Sequence, residues 1–186
     1  MNRFNVFDLP LEGLKLIERQ RLVDSRGYLS RLFCAQELSV AGWHLPIAQI
    51  NHTFTARRGT VRGIHYQKPP KAEMKLVTCI RGEVWDVAVD LRYGSPTFLN
   101  WHAEILSEHN NSSLLIPEGF GHGFQVIEPE SELLYLHTEY HEDSSEAGLR
   151  YDDPMLGVIW PIAVSNFSER DANHPLIDVS FRGVNV

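Results

Sequence analysis

Short apolar segments with a period of two, separated by turn residues, dominate this sequence. In the clearest of them, Val84–Asp90, the side chains of Trp85, Val87 and Val89 fall on one face and the two aspartates fall on the other. Successive side chains of a β-strand point to opposite faces, so this alternation predicts a strand. An Arg-Gly-Glu sequence directly before it is typical of a tight turn.

The same pattern recurs along the chain and predicts further strands at Leu14–Arg19, Tyr28–Phe33, Ile47–Phe54, Lys75–Ile80, Phe98–Ile105, Ser113–Ile116, Gly123–Ile127 and Leu133–Thr138. Helix is sparse: Ala35–Ala41 predicts two turns that end at Gly42. The last part, Tyr151–Val186, is predicted to form loops and short helical pieces that wrap the strands. So many short strands favour an all-β fold closed into a barrel, because closure removes exposed strand edges.

Composition and charge exclude several classes of protein. The 186 residues predict a single domain, 1–186, with 43% hydrophobic and 22% charged residues. No apolar run is long enough for a membrane helix, and the start of the chain lacks the apolar core of a signal peptide, so we expect a cytoplasmic protein. The net charge of −7 argues against a nucleic-acid partner. Cys34 and Cys79 lack the spacing of a metal or redox motif.

Polar residues that are unusual for strands gather at a few places: Arg62–Gln67, Lys75, Ile116–Phe124, Tyr135 and Ser168–Asp171. By alternation, His65 shares a face with Gly63 and Gln67, which favours a wet pocket over a dry core. Each residue taken alone has an ordinary structural interpretation, such as a core histidine, a strand-end lysine, a half-buried strand tyrosine or a turn aspartate. Their joint occurrence indicates a functional site.

The Pro-x-Gly-x-x-His sequence from Pro117 to His122 resembles the second motif of cupins, whose histidine projects into a barrel. In metal-binding cupins the first motif supplies two histidines and a glutamate, whereas here His65 stands alone with Glu73 nearby. His65, Glu73 and His122 could bind zinc or iron, but the missing histidine favours a site without metal or other cofactor.

Several ungapped blocks resemble the dTDP-4-dehydrorhamnose 3,5-epimerase family, in order from about Asp24 to Pro175. They are Arg62–Gln67, Lys75–Val77, Gly82–Arg92, Gly94–Phe98, Ile116–Phe124, Asp153-Pro154, Trp160-Pro161 and Ser168–Asp171. The resemblance implies a homodimeric, cupin-like double-stranded β-barrel (jelly roll) with short peripheral helices. It also implies an epimerase that acts on dTDP-4-dehydro-6-deoxy-D-glucose, on the route to activated L-rhamnose.

The resemblance also implies roles for individual residues. His65 matches the general base, Asp171 the acid that orients it, and Tyr135 the proton donor. Lys75 matches a substrate-contacting position and is the candidate donor to the substrate's C4 oxygen. Other positions are expected to bind the nucleotide-sugar: Arg26, Gln49, Asn51, Arg62, His122, Tyr140 and Arg170. Among these, Tyr140 is expected to stack on the nucleobase.

Two positions depart from the family pattern. Arg31 stands where a substrate-binding glutamate is usual, and Ser144 stands where a second one is expected. Both belong to the nucleotide side of the predicted site, so dTDP is the default nucleotide, and CDP- and GDP-linked sugars remain open. Inversion at C3 alone or at C5 alone also remains open.

The expected chemistry is consistent with these residue types. A ketone at C4 makes the hydrogens on C3 and C5 removable, and inversion needs a base on one face of the sugar ring and an acid on the other. An imidazole with an ordinary pKa near neutrality suits the first task. A phenol, which is a hydrogen donor at neutral pH, suits the second. A metal-dependent cupin dioxygenase or isomerase, and a sugar-nucleotide binding protein without catalysis, are the alternatives.

Overall fold

Strands make up most of the regular structure in the computed structural model, which describes residues 2–186. The strands are β1 (Phe4–Asp8), β2 (Lys15–Arg19), β3 (Arg21–Asp24), β4 (Gly27–Ser30), β5 (Gln49–Thr55), β6 (Val61–Gln67), β7 (Lys75–Arg81), β8 (Glu83–Asp90), β9 (Trp101–Ser107), β10 (Ser112–Ile116), β11 (Phe120–Val126), β12 (Ser131–His137) and β13 (Glu146–Gly148). Two single-turn helices, α1 (Ala35–Leu38) and α2 (Glu169–Ala172), and a 3₁₀ turn, Ser39–Ala41, complete the set.

Two antiparallel sheets form the barrel. The larger has the strand order β1-β2-β10-β7-β12-β5, and the smaller has the order β13-β6-β11-β8-β9. Apolar side chains from both inner faces meet in one core, among them Val77 and Leu114 from the larger sheet and Val84 and Phe124 from the smaller. Strands β3 and β4 form a separate two-stranded hairpin. Residues of β5, β6, β7, β11 and β12 line a cavity between the sheets.

The outer face of the smaller sheet is also covered, by the C-terminal part of the chain. Val87 and Val89 pack there with Leu156 and Val184, and Trp85 lies edge-on to Trp160 with ring centroids 5.3 Å apart. Both faces of β8 are therefore buried, and the aspartates on its inner face have no exposure to solvent. The prediction that Tyr151–Val186 wraps the barrel is confirmed.

The predicted all-β, cupin-like jelly roll is confirmed, and most predicted strands lie within a few residues of the observed ones. The Ala35–Ala41 prediction is also confirmed, since α1 continues into the 3₁₀ turn and ends at Gly42, whose φ is +100°. The prediction of a strand at Tyr28–Phe33 is wrong beyond Ser30. Strand β4 pairs only with the four residues of β3, so no hydrogen-bonding partner continues the ladder.

The predicted strand Phe98–Ile105 begins three residues too early. Residues 95–100 instead form turns, held by Asp90, whose carboxylate accepts hydrogen bonds from Ser95 Oγ at 2.5 Å and Thr97 Oγ1 at 2.6 Å. Leu99 in this turn has a φ of +64°, which a strand residue does not adopt.

Strands β1, β3, β6 and β13 were not predicted. In β6 the register against β11 shifts between the pairs His65–His122 and Arg62–Phe124, which interrupts the alternation. Among residues 2–186, no helix has the length and hydrophobicity that crossing a membrane requires.

Candidate active site

The cavity between the two sheets has a volume of about 650 Å³, within the range of small-molecule sites. It brings together most of the residues singled out in the sequence: Asn51, Arg62, His65, Lys75, His122, Tyr135, Arg170 and Asp171. The smaller sheet and the helix α2 supply one wall, and the larger sheet supplies the opposite wall.

A histidine–aspartate pair occupies the wall formed by the smaller sheet. His65 Nε2, from β6, lies 2.8 Å from Asp171 Oδ1, from α2. The other carboxylate oxygen accepts a hydrogen bond from the Gly63 N–H at 3.2 Å, and Ser168 caps the helix by accepting from the Asp171 N–H. Burial alone would raise the pKa of Asp171, but the hydrogen bonds and charge of His65 bring it down to about 2.

The ionised Asp171 fixes how His65 can act. With Nε2–H donating to the carboxylate, Nδ1 of His65 carries the free lone pair that a base requires. The side chain of His65 is about one-quarter exposed, at 27%, whereas that of Asp171 is 3% exposed. The imidazole can therefore reach a bound molecule while the carboxylate behind it stays dry.

Tyr135 and Lys75 project from the opposite wall. Tyr135 on β12 is almost fully buried, and this burial, together with the nearby Asp86 carboxylate, raises the pKa of its phenol. The phenol is therefore protonated at neutral pH and available as a donor. Lys75 opens β7 and is also buried, with its Nζ 3.0 Å from Glu73 Oε1.

His122, on β11, lies beside both His65 and Tyr135. It is the cross-strand partner of His65, and its ring lies edge-on to that of Tyr135 with centroids 5.9 Å apart. Its Nε2 is 3.0 and 2.9 Å from the two oxygens of Asp86, which is completely buried. Burial raises the pKa of Asp86, against the opposing influence of the His122 hydrogen bond and charge. Sequence reasoning placed Asp86 on a strand face only and missed this contact.

The three side chains considered as metal ligands do not converge. His65 binds Asp171, His122 binds Asp86, and Glu73 binds Lys75 and His137. Within residues 2–186, two other sets of side chains have possible ligand atoms within 4.8 Å of one another. One is His65, Asp171 and His174, and the other is His141, Asp143 and Glu146. The first set already has the guanidinium of Arg170, with Nη2 3.4 Å from His65 Nε2, which opposes a second cation.

Three arginines surround the cavity. Arg62 from β6 and Arg57 from the preceding turn line it, and in the part of the chain that the structure describes neither guanidinium has an ion-pair partner. Arg170 lies at the rim and pairs with Glu146 at 2.9 Å. This local concentration of positive charge suits an anionic group such as a phosphate. Arg57 was not identified from the sequence.

Five residues expected at the site do not line the cavity of their own chain: Arg26, Arg31, Gln49, Tyr140 and Ser144. Arg26 extends from the β3–β4 hairpin, with Nη2 2.6 Å from Asp24 Oδ2, and Arg31 pairs with Glu37.

At the rim, Gln49 accepts a hydrogen bond from the His141 N–H at 3.1 Å, and Tyr140 is exposed. His141 and Glu146 line the cavity there, together with His137, and sequence reasoning missed all three. Residues 139–145 form no strand, so no alternation could indicate that His141 points inward. His137 is two residues after Tyr135 on β12, so alternation within the predicted strand could have indicated it.

Comparisons with known proteins agree with this architecture. The family model for dTDP-4-dehydrorhamnose 3,5-epimerase matches residues 8–178. The chain is 37% identical over 182 residues to the dTDP-4-dehydrorhamnose 3,5-epimerase of Sinorhizobium fredii, covering 96% of this chain and 93% of the relative.

Two solved structures are also similar. One is dTDP-6-deoxy-D-glucose-3,5-epimerase from Legionella pneumophila in complex with dTDP-4-keto-L-rhamnose, with a TM-score of 0.91, 35% identity, and coverage of 98% of this chain and 99% of that one. The other is a 3′-monoepimerase from Streptomyces bikiniensis in complex with dTDP-quinovose, with a TM-score of 0.84, 33% identity, and coverage of 90% and 85%.

Proposed function

Because this chain belongs to the dTDP-4-dehydrorhamnose 3,5-epimerase family, we propose that it inverts C3, C5 or both in a nucleotide-linked 4-keto-6-deoxyhexose. The default reaction converts dTDP-4-dehydro-6-deoxy-D-glucose to dTDP-4-dehydro-L-rhamnose. One observation carries the proposal: the His65–Asp171 pair and the Tyr135 phenol lie on opposite walls of one cavity. A reaction that removes a proton from one face of a ring and returns one to the other needs this arrangement.

In the proposed mechanism His65 Nδ1 removes the proton from the carbon next to the C4 ketone. The electron pair of the broken C–H bond moves into the ring, and the C4 oxygen becomes an enolate oxygen. Asp171 holds the imidazole in position and stabilises the imidazolium that forms. The Tyr135 phenol then protonates the same carbon from the opposite face, which inverts its configuration and restores the ketone.

The enolate oxygen needs a fixed donor. The buried ammonium of Lys75 is the proposed donor. His122 assists from the opposite wall as an imidazolium, whose Nδ1–H has no partner within residues 2–186 while Nε2–H binds Asp86. Preorganised donors of this kind act in a water-poor site, where removing one costs roughly 10²–10³ in rate. The Asp86 carboxylate would hold His122 in the correct orientation, as Asp171 holds His65.

The pyrophosphate is assigned to the arginine-rich part of the cavity. Arg62 and Arg57 are free to form bidentate bonds with phosphate oxygens, and Arg170 completes the positive rim. Asn51, which faces Tyr135 across the ladder between β5 and β12, is proposed to contact the sugar-nucleotide.

A homodimer is part of the proposal, and the β3–β4 hairpin supports it. Val23 and Tyr28 form one cross-strand pair and Leu22 and Leu29 the next, so that both faces of the hairpin carry exposed apolar side chains. A two-stranded hairpin has little stability of its own, and exposed apolar surface of this kind is typical of an interface. Docking on a second copy would bury these apolar side chains and place Arg26 against the surface of that copy.

A single-site epimerase is the second candidate. The Streptomyces bikiniensis protein that resembles this chain is a 3′-monoepimerase, so the same fold supports inversion at one carbon. The proposal also leaves open which nucleotide, dTDP, CDP or GDP, carries the sugar, since Arg31 and Ser144 replace glutamates that the family pattern expects.

Incubation with dTDP-, CDP- and GDP-linked 4-keto-6-deoxyhexoses in D₂O tests the function. We expect deuterium at C3, C5 or both, seen by NMR, and the carbons labelled distinguish a double from a single epimerase. His65→Ala should abolish labelling. His52→Ala is the matched control, because His52 forms a histidine–carboxylate pair of the same 2.8 Å length with Glu132 outside the cavity. Absence of exchange in the wild-type protein with every substrate would contradict an epimerase function.

A further inference from the structure

Glu73 is a buried carboxylate that the mechanism above does not use. It lies between two other buried side chains, with Oε1 3.0 Å from Lys75 Nζ and Oε2 2.9 Å from His137 Nδ1. The three side chains are only 8–10% exposed. All three line the cavity, on the wall that carries Tyr135.

The backbone fixes this arrangement. Lys75 on β7 and His137 on β12 are cross-strand partners, and Glu73 approaches both from the segment just before β7. Hydrogen bonds join Met74 to Thr138, among them one from Met74 N–H to Thr138 Oγ1 at 2.9 Å and one from Thr138 N–H to Met74 O at 3.1 Å. The backbone next to Glu73 is therefore fixed, and its carboxylate is held through both oxygens.

Electrostatics favour the ionised form of Glu73. Its burial would raise its pKa, but the hydrogen bond from His137 and the charge of Lys75 outweigh that effect and lower it. A lysine ammonium is a point charge on a flexible four-carbon stem, so without an anchor it would sample many positions. One of its three hydrogens binds Glu73, which leaves the other two available to a ligand in the cavity.

We infer that Glu73 is a positioning residue, which aims the Lys75 ammonium at the C4 oxygen of the substrate while His137 holds the other side of the carboxylate. This inference rests on the proposed function, in which Lys75 stabilises the enolate. Glu73 acts only through Lys75, and its removal should therefore affect turnover more than substrate binding. His137 acts through Glu73 and is one step further from the reacting atoms.

A double-mutant cycle with Glu73→Gln, Lys75→Met and the combined variant tests the inference. Glutamine keeps the shape of Glu73 but removes its charge. We expect Glu73→Gln to lower kcat roughly ten- to hundredfold, because a displacement of about 1 Å in a reacting geometry can cost 10²-fold. KM should change by less than about threefold. Lys75→Met should lower kcat roughly 10²–10³-fold. In the Lys75→Met background, Glu73→Gln should cost almost nothing further, because coupled residues are not additive.

Glu139→Gln is the control, because it removes a Glu–Lys pair of similar length, 3.2 Å to Lys71, from a more exposed position outside the cavity. It should leave kcat unchanged. Should Glu73→Gln fail to fold, His137→Asn provides the second test: it loosens the carboxylate without removing it, and its smaller loss of kcat should also vanish in the Lys75→Met background.

Two results would overturn the inference while leaving the proposed function in place: full kcat in Glu73→Gln, or losses from Glu73→Gln and Lys75→Met that simply multiply. Full activity in Lys75→Met would instead remove the proposed role of Lys75, and with it the inference. The cycle therefore distinguishes a failure of the positioning role from a failure of the mechanism on which it rests.

Discussion

His65 and His122 are cross-strand partners on β6 and β11, yet each imidazole binds a different carboxylate. His65 binds Asp171 from the short helix α2, and His122 binds Asp86 from the neighbouring strand β8. Two histidines side by side in one cavity are thereby given different surroundings. The first pair is partly open to the cavity and the second is buried, which suits a base and a fixed donor respectively.

Removing the charge behind the base should damage catalysis more than binding. We expect Asp171→Asn to lower kcat by roughly 10²–10⁴, because the amide cannot hold His65 in the same tautomer or stabilise the imidazolium. KM should change little, since Asp171 lies behind His65. Steady-state kinetics measure both constants. A variant that loses affinity while keeping kcat would place Asp171 in substrate binding instead.

The same carboxylate should contribute to stability in a defined pH range. The pKa of Asp171 in the folded protein is about 2, below its ordinary value of 3.8. A lowered folded-state pKa stabilises the fold above the ordinary value, and this stabilisation is lost as the pH falls through about 4 towards 2. The shift corresponds to about 2 kcal/mol.

Denaturant unfolding between pH 2 and pH 5 tests this expectation. The free energy of unfolding should fall with acid by about 2 kcal/mol less in Asp171→Asn than in the wild-type protein. The pKa of Asp90 is also about 2, because its carboxylate accepts hydrogen bonds from Arg92, Ser95 and Thr97. Asp90 is present in both proteins, so its contribution to acid sensitivity cancels in the comparison. Equal acid sensitivity in the two proteins would contradict the assignment.

Gly63 allows β6 and β11 to approach closely beside His65. A Cβ at this position would lie 2.6 Å from His122 O and 2.8 Å from Gly123 Cα, and the φ of Gly63 is +105°. We expect Gly63→Ala to destabilise the protein by roughly 1–3 kcal/mol through this overlap, with further backbone strain, and to displace His65. Gly94→Ala is the control: its φ is +74° but nothing lies within 4 Å, so it carries strain without overlap. Equal losses of stability and activity in the two variants would contradict a role for close packing.

The exposed hairpin predicts that dimerisation and nucleotide affinity are coupled. Sedimentation should show a dimer of the wild-type chain, and Val23→Asp with Leu29→Asp should shift it to a monomer by placing charge on both apolar faces. KM should rise in that monomer because Arg26 no longer reaches a neighbouring site. Val179→Asp, at a position that is 90% exposed elsewhere on the chain, should have no effect. A monomer with an unchanged KM would remove the hairpin from substrate binding.

The barrel could be predicted from sequence because its central strands alternate clearly, as in Val84–Asp90. The edges were harder to predict. Strand β1 is an edge strand whose exposed face also carries Phe7, and β3 belongs to a separate hairpin that has no buried face to impose alternation. Strand β13 has only three residues. The early start predicted for β9 arose because Ser95 and Thr97 bind Asp90, five and seven residues earlier, and hold the chain around Leu99 in a turn. Alternation does not record side-chain contacts of this kind.

The proposed catalytic residues could be named from sequence because the family pattern assigns them by position. The side chains that contact these residues could not be predicted from sequence. Asp86 contacts His122 and His137 contacts Glu73 from distant parts of the sequence, and residue types alone suggest neither a partner nor a direction. The nucleotide side was the least predictable: His141 and Glu146 line the cavity, whereas Tyr140 and Ser144 do not.

Deuterium exchange in Tyr135→Phe tests most directly whether His65 and Tyr135 work on opposite faces of the sugar. Without the phenol, His65 can still remove a proton and return one from solvent to the same face. We therefore expect NMR in D₂O to show deuterium entering at the reacting carbon with its configuration retained, while inversion is lost. Inversion at the wild-type rate in Tyr135→Phe, or exchange that persists when His65 is replaced by alanine, would contradict the two-face mechanism.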